Sequence, residues 1–281
     1  MSADPLPPLR EVIAASGLSA KKSLGQNFLL DLNITRKIAR AVPNLETAHV
    51  LEVGPGPGGL TRGLLLEGAA KVTAIEKDAR CIPALEQIQE HYPERFCFHI
   101  GDALEADEKD LLGEGNLKPQ IAANLPYNIA SAFLVKWLEG EPWPPFWHSL
   151  TVMLQKEVAL RLVAGPGVKT YGRLSVLAQW RSIPKILFHI PPEAFTPKPK
   201  VTSSVIQIIP SHPAVAGLTG KKISAFTQTL FGQRRKILRN VLRPFGETVG
   251  DVLANEGINP GLRPENLSVE EICRLAKKLI N

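Results

Sequence analysis

Cysteine is scarce. The 281 residues hold three, Cys81, Cys97 and Cys273. They are too few and too scattered for a disulfide framework, and none form a CxxC metal pair. A reducing compartment is expected. The six histidines, at positions 49, 91, 99, 148, 189 and 212, lack ligand spacing, so no metal site is expected. No uninterrupted apolar run approaches about 18 residues, which excludes a transmembrane helix. The opening MSADPLPPLREV lacks a basic stretch followed by an apolar one, so no secretory signal is read there. A cytoplasmic protein without membrane partners is expected, and a monomer. No Ser–His–Asp arrangement can be argued.

What is present is ordinary globular composition, with 44% hydrophobic and 21% charged residues. At about 150 residues per domain, the length suggests two domains or one with an appendage. The net charge of +6 is unevenly placed. Residues 1–210 carry 22 Lys and Arg against 21 Asp and Glu; residues 211–281 carry 11 against 6. A neutral body with a basic tail suggests an anionic macromolecular partner.

From residue 49 onward, short apolar runs alternate with amphipathic stretches. Strands are expected at 49–53, 71–76, 96–100, 120–124, 149–154, 186–190 and 203–209. Helices are expected at 59–67, 79–90, 129–138 and 155–164. This alternation predicts an α/β fold with a mostly parallel seven-stranded sheet. The last two strands are joined by PPEAFTPKPK (191–200), too short for a crossover helix, and are expected to pair antiparallel at the sheet edge. Residues 1–48 read as an extension with a helix near 31–41 capped by Asp31. Residues 49–210 read as the α/β domain, 211–220 as a linker, and 221–281 as a helical basic domain.

Chemistry concentrates at successive strand tips. After the first strand comes EVGPGPGGLT (52–61), whose Gly54, Gly56 and Gly58 let backbone approach a ligand and make a tight turn before a helix. The second strand ends in Glu76, which can accept from both ribose hydroxyls of a nucleoside. The third ends in Gly101-Asp102; this Asp can accept from the amine of an adenine ring or simply cap a helix. The ordered set fits an adenosine-bearing cofactor, either S-adenosylmethionine (SAM) or a nicotinamide dinucleotide.

The fourth tip, Asn124-Leu125-Pro126-Tyr127, separates the two. The N6 lone pair of adenine is delocalised into its ring. An acceptor pair gripping both N–H bonds turns that lone pair toward a methyl donor. The Asn124 side chain and the Leu125 or Pro126 carbonyl supply such a pair. Tyr127 can stack on a flipped base. A nicotinamide oxidoreductase leaves this tetrapeptide without a role.

At this point the chain resembles the KsgA-type rRNA adenine N6,N6-dimethyltransferases. The matching segments are GQNFL (25–29), EVGPGPGGLT, Glu76, Gly101-Asp102, NLPYNI (124–129), MLQKEVALRLVAGPG (153–167), YGRLSV (171–176), PPEAFTPKPKV (191–201) and FGQRRKILRN (231–240). The resemblance implies a class I SAM-dependent methyltransferase domain, Rossmann-like with an antiparallel edge, and a small all-α C-terminal domain. It implies transfer of four methyls from four SAM molecules to two adjacent adenines near the 3′ end of 16S rRNA in the small ribosomal subunit. S-adenosylhomocysteine (SAH) is the product, and a role in ribosome biogenesis accompanies the reaction. It places cofactor contacts on Asn27, Leu29, Gly54, Glu76, Asp102 and Asn124, and has GQNFL close over the cofactor. It casts Phe195 as a second aromatic wall opposite Tyr127. The related Erm class, acting on large-subunit rRNA, usually carries NIPY instead. A non-catalytic RNA-binding assembly factor is a third reading.

Arg234, Arg235 and Lys236, continued by Arg239 and Arg243, are expected on one helix. There, positions 235, 239 and 243 share a face that can track phosphates, with Ile237, Leu238, Val241 and Leu242 turned inward. Lys21, Lys22 and Arg173 are further expected RNA contacts. Trp137, Trp143 and Trp147 are expected to pack a surface turn.

Overall fold

The alternation of apolar runs and amphipathic stretches builds an α/β sheet, seen here in a computed structural model. The structure describes residues 4–15, 17–20, 25–113 and 115–280. Lys21 and Lys22, expected as RNA contacts, lie outside the described residues. The first elements are α1 (Leu9–Ala15), β1 (Phe28–Leu29), α2 (Leu32–Ala39), β2 (Ala48–Val53), α3 (Gly59–Leu66), β3 (Lys71–Glu76) and α4 (Ile82–His91). Then come β4 (Phe96–Ile100), α5 (Glu108–Leu112), β5 (Lys118–Asn124), α6 (Ala130–Glu139), β6 (Leu150–Gln155) and α7 (Lys156–Val163). The chain continues with α8 (Arg173–Gln179), β7 (Ser182–Ile190), β8 (Phe195–Thr196) and β9 (Ser203–Pro210). Last are α9 (Gly220–Gly232), α10 (Leu238–Val241), α11 (Val249–Asn255) and α12 (Val269–Leu279).

The seven-stranded sheet runs β4-β3-β2-β5-β6-β9-β7. β2 is parallel to β3 and β5, while β9 is antiparallel to β6. The two expected edge strands are neighbours, with β9 inside and β7 outermost. Pro184 and an exposed Lys185 in β7 blunt that edge against further pairing. β2 is buried along its whole length, as a strand covered on both faces must be. Chain order reverses at β2, which sends β3 to one side and β5 to the other. A ligand crevice opens at such a switch point, outside the carboxyl ends of the strands.

Two helices flank that crevice. Asp31 caps α2, as expected, accepting from Asn33 N at 2.8 Å. α3 crosses α2 so closely that a Cβ on Gly63 would lie 2.8 Å from the Thr35 carbonyl carbon, which only glycine permits.

The chain packs as two compact units. One holds residues 1–133, 146–156 and 186–208; the other holds 134–145, 157–185 and 209–281. Within the second, Arg181 is 1% exposed and organises its surroundings. It pairs with Glu141 at 2.9 Å, donates to the carbonyls of Leu138 and Gly140, and lies 4.0 Å from the Trp143 ring centroid. Trp143 also donates Nε1 to Ser211 O at 2.9 Å. Trp137 and Trp147 are each 2% exposed, so they are core side chains and not part of a surface turn.

The helix expected across the basic run is broken. α9 stops at Gly232, and Gln233 leaves helical geometry at φ −130, ψ 53. Lys236 N then closes a turn onto Gln233 O at 2.9 Å. Arg239 falls in the four-residue α10, and Arg243 opens a separate 3-10 turn (Arg243–Phe245). Arg235, Arg239 and Arg243 therefore do not share one helix face. Leu238, Val241 and Leu242 are buried as expected, but Ile237 is 37% exposed because the turn rotates it outward.

Candidate active site

The site forms where the parallel strands end together. Val53 is level with Ile75 on one side and Ala123 on the other, and Asn124 is level with Met153. This register sets the residues after β2, β3, β4 and β5 around one cleft. It holds about 1120 Å³ of space, open solvent at its mouth included. Its lining includes Asn27, Leu29, Gly54, Gly56, Glu76, Asp102, Asn124, Leu125, Pro126 and Tyr127. Ten positions singled out from the sequence are thus brought together.

The glycine-rich loop forms the floor. Gly54, Gly56 and Gly58 have φ of 70°, 56° and 90°, the left-handed region that side-chain-bearing residues avoid. A Cβ on Gly54 would meet no atom within 4 Å; the space it would fill belongs to the cleft. Gly58 does not line the cleft. It faces α4, where a Cβ would come within 2.2 Å of Ile88 Cδ1. Its role in the structure is helix packing at the start of α3.

Glu76 lines the cleft at the tip of β3. It is 6% exposed and accepts from Gly56 N at 2.8 Å through Oε2 and from Asp78 N at 2.7 Å through Oε1. Burial pushes its carboxyl above the ordinary value, and the two backbone N–H groups pull it back. Asp102 lines the cleft after β4, the strand beside β3, and accepts from Leu104 N at 3.0 Å and from Lys77 Nζ at 2.6 Å. Glu52 lies beneath the loop, 1% exposed, with Thr61 Oγ1 donating to it at 2.6 Å. Burial pushes Glu52 up to about 8, opposed by the Thr61 hydrogen bond and reinforced by Glu76.

The opposite wall comes from two directions. Tyr127 is half-buried and its hydroxyl shares a 2.6 Å hydrogen bond with Ser203. The segment 25–29 covers the cleft from the other side: Phe28 Cε1 lies 3.5 Å from where a Gly56 Cβ would stand. β1 is held there by antiparallel pairing with β8, Leu29 opposite Phe195. Phe195 itself is 4% exposed, packs in the core with Leu29, Ile190 and Val205, and is not among the lining residues. Gln26 falls within GQNFL, but neither it nor Lys77 nor Asp78 was given an individual role from the sequence. The last two follow Glu76 directly, so the strand-tip position was their only signal.

The candidate RNA contacts lie in the second unit. Arg234 donates to the carbonyls of Lys169 and Tyr171 at 3.1 and 2.9 Å and pairs with Glu265 at 3.3 Å. Arg173 donates to Ser224 Oγ at 2.7 Å. Arg235, Lys236, Arg239 and Arg243 are exposed. Among the described residues, no group of three His, Cys, Asp or Glu could hold a metal ion, and no helix is long and apolar enough to cross a membrane.

Comparison with known proteins identifies the family of the chain. The small-subunit rRNA methyltransferase A of Chelativorans sp. strain BNC1 is 54% identical over 280 residues, covering 99% of this chain and all of that protein. The protein of the same name from Dinoroseobacter shibae is 55% identical over 280 residues, covering 98% of each. Two solved structures share the fold. A dimethyladenosine transferase from Plasmodium falciparum has TM-score 0.70 at 22% identity, covering 87% of this chain and 94% of that one. The 23S rRNA methyltransferase ErmE has TM-score 0.67 at 24% identity, covering 91% of this chain and 100% of that one. A family model of ribosomal RNA adenine dimethylases matches residues 17–281, and the chain belongs to that family.

Proposed function

We propose that this enzyme transfers methyl groups from SAM to the N6 amines of two adjacent adenines near the 3′ end of 16S rRNA, within the small ribosomal subunit. The observation that carries the reading is the convergence of Gly54, Glu76, Asp102 and Asn124-Leu125-Pro126-Tyr127 on one cleft. Identity above half along the full length to small-subunit methyltransferases supports the small-subunit target over a large-subunit one.

The residues present fit the cofactor. The open space before Gly54 admits a ligand against bare backbone. Glu76 is fixed by two backbone donors and keeps lone pairs for ribose hydroxyls. Asp102 lines the same cleft and is the proposed acceptor for an exocyclic amine. When bound, SAM supplies an electrophilic methyl group on a sulfonium. Asn124 and the carbonyl of Leu125 or Pro126 then grip the two N–H bonds of the target adenine and aim its lone pair. Tyr127 stacks on the flipped base, and Phe195, paired across the ladder with the cleft residue Leu29, is the proposed second wall. No side chain is needed as a base, since the methylated ammonium loses its proton readily to solvent. Arg173, Arg235, Lys236, Arg239 and Arg243 are proposed to meet rRNA phosphates, with Arg234 shared between that role and its internal bonds.

The test is transfer of labelled methyl from SAM to small subunits that lack the modification. Large subunits and an Asn124→Ala protein run beside it. Dimethyladenine in 16S rRNA, lost in the variant, is expected. Label on the large subunit would overturn the target, and tight small-subunit binding without label would reduce the chain to an assembly factor.

A further inference from the structure

The strand tip that carries Glu76 also ties down the segment covering the cleft. Gln26 Nε2 donates to Asp78 Oδ2 at 3.0 Å, across 52 residues of sequence. Arg80 Nη1 donates to Ser19 O at 3.2 Å. Asp78 and Arg80 are themselves joined, Nε to Oδ1 at 2.9 Å and Nη2 to Oδ2 at 2.5 Å. The Asp78 backbone N–H, in turn, holds Glu76 Oε1. One short stretch thus holds Gln26 of the covering segment, bonds separately to Ser19, and positions the Glu76 carboxylate.

Capping explains only part of this. Asp78 Oδ1 accepts from Arg80 N at 3.2 Å, which starts the 3-10 turn at Ala79–Cys81. A cap needs one oxygen and tolerates exposure. Asp78 is instead 7% exposed, and its second oxygen serves Gln26. Burying a carboxylate is unfavourable unless charge and hydrogen bonds compensate it, and Arg80 and Gln26 both do so. Gln26 lines the cleft two residues before Phe28 and Leu29, which also line it.

We propose that Asp78, with Gln26 and Arg80, is a clasp that holds residues 25–29 over the cofactor cleft and sets the rate of cofactor exchange. The cofactor reading of the cleft underlies the kinetic half of this proposal. Dimethylation of two adenines, as proposed above, requires four rounds of SAM entry and SAH release, so cofactor exchange recurs throughout the reaction. Asp78 acts through Gln26 and Glu76; it is a positioning residue.

The experiment uses the full chain and its Gln26→Ala, Arg80→Ala and Asp78→Ala variants, plus the Gln26→Ala/Asp78→Ala double variant. Stopped-flow displacement gives the SAH dissociation rate, and hydrogen exchange without ligand follows the amides of Phe28 and Leu29. Expected are dissociation at least about tenfold faster in each single variant and a double variant no faster than Asp78→Ala, the non-additivity of a direct contact. Amide exchange at Phe28 and Leu29 rises in parallel. Should Asp78→Ala fail to fold, Gln26→Ala and Arg80→Ala carry the test. Unchanged dissociation, or single effects that simply add, overturns the clasp. A wild-type chain that binds no SAH defeats the cofactor reading instead, and the exchange measurement still decides whether the segment is held.

Discussion

Thr61 Oγ1 donates a 2.6 Å hydrogen bond to Glu52 Oε2, so the first turn of α3 is fastened to the strand that precedes the glycine-rich loop. The carboxyl so held is buried, and its pKa is pushed up to about 8. The folded protein therefore keeps a proton that the unfolded chain releases near the ordinary 4.5. Stability falls as pH rises through that interval. Glu52→Gln removes this dependence while retaining an acceptor for Thr61. The variant is expected to match the wild type near pH 5 and to be more stable near pH 8.5. The difference is a few kcal/mol at most, since a tenfold change in proton affinity corresponds to about 1.4 kcal/mol. Thermal melts across that range check it; curves that stay parallel mean Glu52 is ionised in the fold.

Phe195 tests the second wall. Its 4% exposure makes truncation ambiguous, because Phe→Ala in a core costs about 3–5 kcal/mol of stability. Phe195→Leu keeps most of the volume and is expected to cost less than about 1.5 kcal/mol. Stacking on a base contributes about 1–3 kcal/mol, so the same variant is expected to lose roughly 5- to 150-fold in methyl transfer with SAH affinity unchanged. Full activity would assign Phe195 to the core alone.

The site was more legible than its supports. Glu76, Asp102 and Asn124 were readable because each ends an apolar run, and the period of the sheet places such ends side by side. The Gln26–Asp78 bond was not readable: its partners are far apart in sequence, and a Gln in a polar approach carries no pattern. Burial of Phe195 was hidden for the same reason, since its pairing with Leu29 is set by a two-residue ladder. The break at Gln233 escaped because Gln and Arg are good helix formers and only Gly232 interrupts them. Strand periodicity survives tertiary context; a single helix end depends on it.

Tyr127 and Ser203 separate ring from hydroxyl. Their 2.6 Å hydrogen bond satisfies a half-buried phenol. Tyr127→Phe keeps the stacking face and is expected to stay within about fivefold of wild-type transfer, since one neutral hydrogen bond is worth about 1 kcal/mol. Tyr127→Ala removes the face and is expected to lose about 5- to 150-fold, from about 1–3 kcal/mol of stacking. Equal losses in the two variants would move the role from the ring to the hydroxyl. Single-turnover transfer at saturating SAM makes the comparison.

The basic turn divides into an anchor and its exposed neighbours. Arg234 bonds two carbonyls and Glu265, so Arg234→Ala is expected to lower the melting temperature as well as RNA affinity. Arg235 and Lys236 are exposed, and their replacement by Ala is expected to leave the melt unchanged. If each neutralises one phosphate, each substitution reduces the slope of log affinity against log salt by about 1. The loss then comes equally on matched and mismatched rRNA sequences, because phosphate contacts carry no base information. Filter binding of small subunits from low to moderate salt gives the slopes. Because the turn breaks the expected helix, these cations do not form a regular row, and their contributions are expected to add. An Arg235→Ala/Lys236→Ala protein whose slope equals that of the wild type would remove this turn from the RNA surface.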